Sequence, residues 1–244
     1  MNPTTSPRQM ADIHFSNYRT RQVAKPYFRE WSNLRYNSGK TFTANPRLFK
    51  RDKALYFPNM FGVTLASPRE AKNTTSILRG KISVVNLFSS TWAESQVATF
   101  TGDSNPGLQQ ALDNSKSVAQ RVDINLEENT FRAWLVRMFM WRMRKSLAKE
   151  QHRRYFLVRR GVTDALKEAI GMMNSKVGYV YLLDDECRIR WAGSGPAEVG
   201  ELEALNNGLR KLIEERKASE KPSEGIKQVQ SAPKKKKPRV VMHT

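Results

Sequence analysis

Phe88-Ser89-Ser90-Thr91-Trp92-Ala93-Glu94-Ser95-Gln96 is where chemistry would first be sought in this chain. An apolar run ends there and a helix-forming run begins. A helix N-terminus offers unpaired N–H groups and the positive end of a dipole, which together stabilise a thiolate. Dithiol–disulfide exchange uses this layout with a W-C-x-x-C turn. Here the tryptophan is kept, but Ala93 stands at the first cysteine position, Gln96 stands at the second, and Glu94 would oppose a thiolate nearby. The one cysteine, Cys187, has no second thiol to resolve it, so dithiol exchange within a single chain is chemically impossible. A peroxidatic Cys187 would have only Arg188 beside it to lower its pKa. His14, His152 and His243 are too scattered to form a metal cluster, and no cofactor is expected. Further along, Val177-Gly178-Tyr179 puts glycine where a peptide-presenting proline commonly precedes a hairpin strand. Two readings of Trp92 stand side by side. It is a core or rim tryptophan inherited with the fold, or it forms a shallow peptide-binding cleft with Ala93, Glu94, Gln96, Gly178 and Tyr179.

The elements that must position these residues are readable from residue 81 onward. Ile82-Ser83-Val84-Val85-Asn86-Leu87-Phe88 is a β-branched apolar run that predicts a buried strand. A helix starts at Trp92, is interrupted at Asn105-Pro106-Gly107 and resumes through Leu112. Gln120–Asn125 and Tyr155–Val158 predict two more strands, and residues 163–173 a helix capped by Thr163. Val180–Leu183, a turn at Asp184-Asp185-Glu186 and Arg188–Gly193 form a hairpin. A helix from about 197 to 216 follows, with Leu202, Leu205, Leu209, Leu212 and Ile213 at helical spacing. This order predicts an α/β, thioredoxin-like fold, a mixed sheet with a C-terminal antiparallel hairpin, flanking helices and no redox cysteines.

Residues 127–149 predict the most distinctive helix. Phe131, Trp134, Leu135, Met138 and Trp141 share one face, Val136, Met140, Met143 and Leu147 another, with Arg132, Arg137, Arg142, Arg144 and Lys145 between them. Either the helix is buried on both sides with its arginines reaching to water, or one face is left for a partner. In the second case Met140, Met143, Arg137 and Arg144 are the candidate contact residues.

Charge divides the chain. The net +19 splits into +10 over residues 1–80, +2 over 81–215 and +7 over 216–244. A nearly neutral domain with two basic ends meets anionic partners through those ends. We expect a polar, disordered stretch over 1–17, a basic, aromatic-rich extended arm over 18–76, the thioredoxin-like domain over 77–216 and a disordered basic tail over 217–244. The arm is either docked on its own core or kept for a partner. No stretch approaches the roughly 18 apolar residues of a membrane span. Asp12 and nearby prolines make the first residues poor transit-peptide material.

Several blocks together resemble a known family. They are Lys25-Pro26-Tyr27-Phe28-Arg29, Leu55-Tyr56-Phe57-Pro58, Leu78–Val85 with Phe88-Ser89-Ser90 and Trp92-Ala93-Glu94, Tyr155–Val158, and above all Asn174–Asp184 continuing through Cys187–Gly195. They are similar to the fungal mitochondrial ATPase complex subunit ten family, over roughly residues 20–215. The resemblance implies a non-enzymatic assembly chaperone on the matrix side of the inner mitochondrial membrane, peripherally bound. It would hold the a subunit of the ATP synthase Fo sector for assembly with the c ring, and no nucleic acid partner is expected. The family lends no catalytic residues. Two other readings compete: a nuclear or nucleic-acid-associated protein, from the run Pro233–Val240, and a residual thiol peroxidase.

Overall fold

The computed structural model describes residues 39–127, 140, 143–145 and 147–220. Seven strands form one sheet: β1 (Phe61–Thr64), β2 (Ala71–Asn73), β3 (Ile82–Phe88), β4 (Ala119–Leu126), β5 (Tyr155–Val158), β6 (Tyr179–Leu183) and β7 (Ile189–Ser194). Their spatial order is β2-β1-β5-β4-β3-β6-β7. The three central strands, β5, β4 and β3, are parallel, and an antiparallel hairpin flanks them on each side. The architecture is the thioredoxin-like one, with the mixed sheet and C-terminal hairpin that the sequence predicts. The second hairpin, β1–β2, lies within the segment read as an extended arm, so the sheet begins well before residue 77.

The central strand explains itself. Every residue of β3 is buried, as a continuous apolar run flanked by strands on both sides must be. Alternate side chains feed two cores. On one face Ile82, Val84 and Phe88 meet α2 (Thr91–Thr101), α3 (Pro106–Asp113) and α5 (Val199–Glu220) through Val97, Phe100, Leu108, Leu205, Leu209 and Leu212. On the other, Val85, Leu87, Val122, Ile124, Tyr179 and Tyr181 pack against Phe57, Met60, the short helix α1 (Thr75–Leu78), and Ile170 and Met172, which follow α4 (Asp164–Ala169).

Local chemistry sets the helix ends. The Ser90 hydroxyl caps α2 by accepting from the Ala93 N–H, and the Asn105 side chain caps α3 with Pro106 in its first turn. Thr163 caps α4 as expected, but the helix ends at Ala169 and not near 173. Gly171 follows at φ +74°, a left-handed conformation in which the Gly171 and Met172 amides turn back on the Glu168 and Lys167 carbonyls. The last helix reaches Glu220, four residues into the expected tail. Residues 1–38, the remainder of the tail and most of the predicted 127–149 helix lie outside the described residues; within that helix, Met140 and Met143–Lys145 are helical.

The chain from Gly39 to Met60 is docked on the folded body and straddles the edge strand β7. Ala44 and Leu48 belong to the helical-face core, whereas Phe42, Phe49, Phe57 and Met60 pack on the opposite face. Main-chain bonds hold it to β7 and the adjoining turn: Phe49 N–H to Arg190 O (2.7 Å), Ile189 N–H to Leu55 O (2.7 Å) and Phe57 N–H to Cys187 O (2.8 Å). Leu48 reaches α5 because Gly208 has no side chain; a Cβ there would come within 2.8 Å of Leu48 Cδ2.

Candidate functional site

The strand-to-helix turn after β3 carries no thiol. The helix begins at Thr91, so Ala93 lies inside its first turn, facing the core with no exposure. A thiol at that position would be shielded from water. Gln96 is also buried. Its Oε1 accepts from the Gly178 N–H at 2.9 Å, and its Nε2 donates to the Gly39 carbonyl at 3.4 Å. The second cysteine position therefore carries a structural tie between the start of β6 and the docked arm.

Gly178 answers to packing. A Cβ at this position would come within 2.4 Å of the Ala93 carbonyl oxygen and 2.7 Å of Val97 Cγ1. Its N–H is taken by Gln96, and its carbonyl accepts from the Gly195 N–H at 2.9 Å. Tyr179 has no exposure; its hydroxyl accepts from the Asn174 N–H and donates to the Asn174 carbonyl. The expected cleft wall of Gly178 and Tyr179 is corrected accordingly: both are buried and internally bonded, and neither offers backbone to a visiting peptide. Trp92, 44% exposed, and Glu94 do reach the surface. Partial burial, with the Asp123 carboxylate nearby, raises the Glu94 carboxyl above its ordinary value.

Met140 is corrected in the same way. It is 4% exposed and belongs to the same core as Leu65, Phe88 and Tyr155, with Met143 packed against that core. Glutamate at 140 would unfold the domain before it reported on a partner. The Arg144 Nε donates to the Leu65 carbonyl at 2.5 Å, tying the helical turn to the sheet. Arg137 lies outside the described residues.

Cys187 sits in the β6–β7 turn at φ +65°, 6% exposed. Burial, with the Asp184 carboxylate nearby, pushes its thiol pKa up, the opposite of what a nucleophile needs. Among the described residues no group of three or more His, Cys, Asp or Glu side chains is placed to hold a metal ion.

Two polar clusters escaped the sequence reading. One lies on the sheet under α2: Asn86 Nδ2 donates to Asp123 Oδ1 (2.7 Å) and Thr101 Oγ1 (2.8 Å), and Gln151 Nε2 donates to Asp123 Oδ2 (2.7 Å). The other is centred on Lys40. Its ammonium is buried against Glu201 Oε2 (2.5 Å) and the Ser194 carbonyl (3.3 Å) and lies 5.8 Å from the centre of the Phe100 ring. Glu201 also closes the start of α5, accepting from the Glu198 N–H. Lys40 sits in the basic, aromatic-rich arm, and nothing local in a sequence marks a lysine as buried.

Comparison with known proteins decides the family. The family model described as ATP10 protein matches residues 18–212. A Candida glabrata protein named mitochondrial ATPase complex subunit ATP10 is 29% identical over 80% of this chain and 71% of its own length. The protein of the same name from Saccharomyces cerevisiae is 31% identical over 84% of this chain and 78% of its own. The chain belongs to the ATP10 family. Solved structures similar to this ATP10-family chain include a secreted thiol-disulfide isomerase from Corynebacterium glutamicum, 10% identical with a TM-score of 0.48, covering 72% of this chain and 99% of its own. Another is a putative thiol:disulfide interchange protein DsbE from Chlorobium tepidum, 15% identical with a TM-score of 0.44, covering 67% of this chain and 99% of its own.

Proposed function

We propose that this ATP10-family protein acts in assembly of the mitochondrial ATP synthase as a non-enzymatic chaperone, holding the newly made a subunit of the Fo sector for assembly with the c ring. One observation carries the non-enzymatic part. The helix end where a thiolate would form has a buried alanine and a hydrogen-bonded glutamine, and the one thiol elsewhere in the chain is buried with a raised pKa. The protein is left with surfaces to act through. Trp92 and Glu94, at the open end of α2, are the sequence candidates that remain accessible, and we assign the client contact to them. The family name borne by its relatives supports the ATP synthase as the destination.

We further infer a peripheral position on the matrix side of the inner membrane. Among the described residues no helix is long and apolar enough to cross a membrane. Basic ends gain about 1 kcal/mol per Lys or Arg near an anionic surface. High salt or alkaline carbonate should release the protein from mitochondrial membranes.

Photocrosslinking from position 92 in isolated mitochondria, followed by identification of the adduct, tests the client. The a subunit is the expected partner, and Trp92→Ala should reduce its co-purification while the melting temperature stays within about 2 °C of wild type. Crosslinks only to other proteins, or undiminished co-purification with Trp92→Ala, would remove this surface from the client site. Turnover of a thiol or peroxide substrate by the purified protein, lost in Cys187→Ser, would overturn the non-enzymatic reading.

A further inference from the structure

The seven residues Gly39–Asn45 are held in an unusual way. The hydrogen bonds that fix their main chain run to side chains of the folded body. Gln96 Nε2 donates to the Gly39 carbonyl. The Ser194 hydroxyl accepts from both the Thr41 N–H (3.1 Å) and the Phe42 N–H (3.0 Å) and donates to the Phe42 carbonyl (2.6 Å). Glu201 Oε1 accepts from the Ala44 N–H (2.9 Å), and the Trp191 indole N–H donates to the Asn45 carbonyl (2.9 Å). Beyond this segment the pattern changes to main-chain pairing with β7 and its turn, through Phe49, Leu55 and Phe57. Side chains that read a passing main chain, regardless of its sequence, are what a peptide-binding groove requires.

The groove reads one side chain as well. Glu201 Oε2 and the Ser194 carbonyl bind the Lys40 ammonium over the Phe100 ring, with Glu198 Oε1 at 3.9 Å. The lysine side chain is 5% exposed. The pocket thus encloses a compact ammonium away from water. Two residues on, the Phe42 ring lies 6.1 Å from that of Tyr179.

We propose that this is a peptide-reading groove loaded with the chain's own Gly39–Asn45, and that an extended, lysine-bearing segment of a client protein replaces it there. The proposal rests on the client-holding reading for the source of that segment. Phe42 and Ala44 would leave with these residues, but the arm stays on the body because Leu48, Phe49, Phe57 and Met60, which lie beyond residue 45, remain packed on the two cores. Once emptied, the groove holds a buried carboxylate that needs another ammonium. That need selects lysine.

The test is fluorescence anisotropy with the full-length chain and a labelled peptide of the sequence Gly-Lys-Thr-Phe-Thr-Ala-Asn. Wild type should bind it weakly, because the covalent segment competes at millimolar effective concentration. Lys40→Ala should bind it at least about tenfold more tightly, and a peptide with methionine for lysine should lose about tenfold or more of that gain. Adding Glu201→Gln should cancel the gain. Should Lys40→Ala fail to fold, Phe42→Ala weakens the strap through its ring contact with Tyr179, leaves every groove side chain in place, and should show a lysine-selective gain as well. Equal binding of both peptides, or no gain in either variant, overturns the groove. A concentration-dependent dimer of the wild-type chain that is lost in Lys40→Ala overturns the client as occupant and assigns the groove to arm exchange between copies. Lysine-selective binding with no a-subunit crosslink keeps the groove and removes the proposed client. An a-subunit crosslink with no peptide binding does the reverse.

Discussion

The two faces of the sheet are sealed equally well by different means. One is covered by regular helices, with Val97 and Phe100 of α2, Leu108 of α3 and Leu205, Leu209 and Leu212 of α5 interlocking over Val84 and Trp191. Among the described residues the other has a four-residue and a six-residue helix, and irregular chain carrying Phe57 and Met60 does much of the covering. Val85, Val122, Ile124, Tyr179 and Tyr181 on that second face nevertheless have no exposure. The hydrophobic effect follows area removed from water and is indifferent to the regularity of what covers it. Irregular chain must still satisfy its own polar backbone, and the arm does so on β7 and on the Ser194, Glu201, Gln96 and Trp191 side chains.

If the two coverings are equivalent, removing either should unfold the protein. The largest effect is expected from a fragment starting at residue 77, which loses β1, β2 and the arm. Circular dichroism and thermal melting should show no cooperative transition, and a fragment melting like the full chain would make the arm a mere appendage. Next come Phe57→Ala and Phe100→Ala, one from each face. Each should cost about 3–5 kcal/mol in denaturant titration. A Phe57→Ala cost far below that of Phe100→Ala would break the equivalence. Glu201→Gln should cost somewhat less, about 3 kcal/mol, by leaving the Lys40 ammonium buried without its counter-charge, and Glu201→Gln with Lys40→Met should recover part of the loss.

The smallest effect concerns Glu94. A carboxyl whose pKa is raised in the folded state holds its proton more readily there than in the unfolded chain. Stability therefore falls as pH rises from the ordinary carboxyl value through the raised one. Glu94→Gln should flatten that fall and raise the melting temperature at neutral pH by no more than about 1 °C, because the side chain is exposed. Identical pH profiles would remove the raised carboxyl at Glu94 as a contributor to stability.

What was legible in the sequence depended on period and punctuation. β3 stood out because five of its seven consecutive buried positions are Ile, Val, Leu or Phe, and Thr163 announced its helix by capping it. β1 and β2 were hidden. Ala71-Lys72-Asn73 has no fully buried position, and Gly62 sits where a Cβ would come within 2.7 Å of the Leu157 carbonyl oxygen, so neither strand shows an alternating pattern. The candidate site was half legible. The loss of both redox cysteines is plain from residue types alone. The burial of Gly178, Tyr179 and Met140, and the pairing of Lys40 with a carboxylate 161 positions away, arise from tertiary contacts that no local pattern encodes.

The arm's course along β7 has a colloidal consequence. A sheet edge with free N–H and C=O groups is a template on which unfolded chains polymerise. Here one margin is covered by the arm, and the opposite one, β2, is only three residues long and carries Lys72. Neither edge of the sheet therefore offers a long, open template on which a fibre could be seeded.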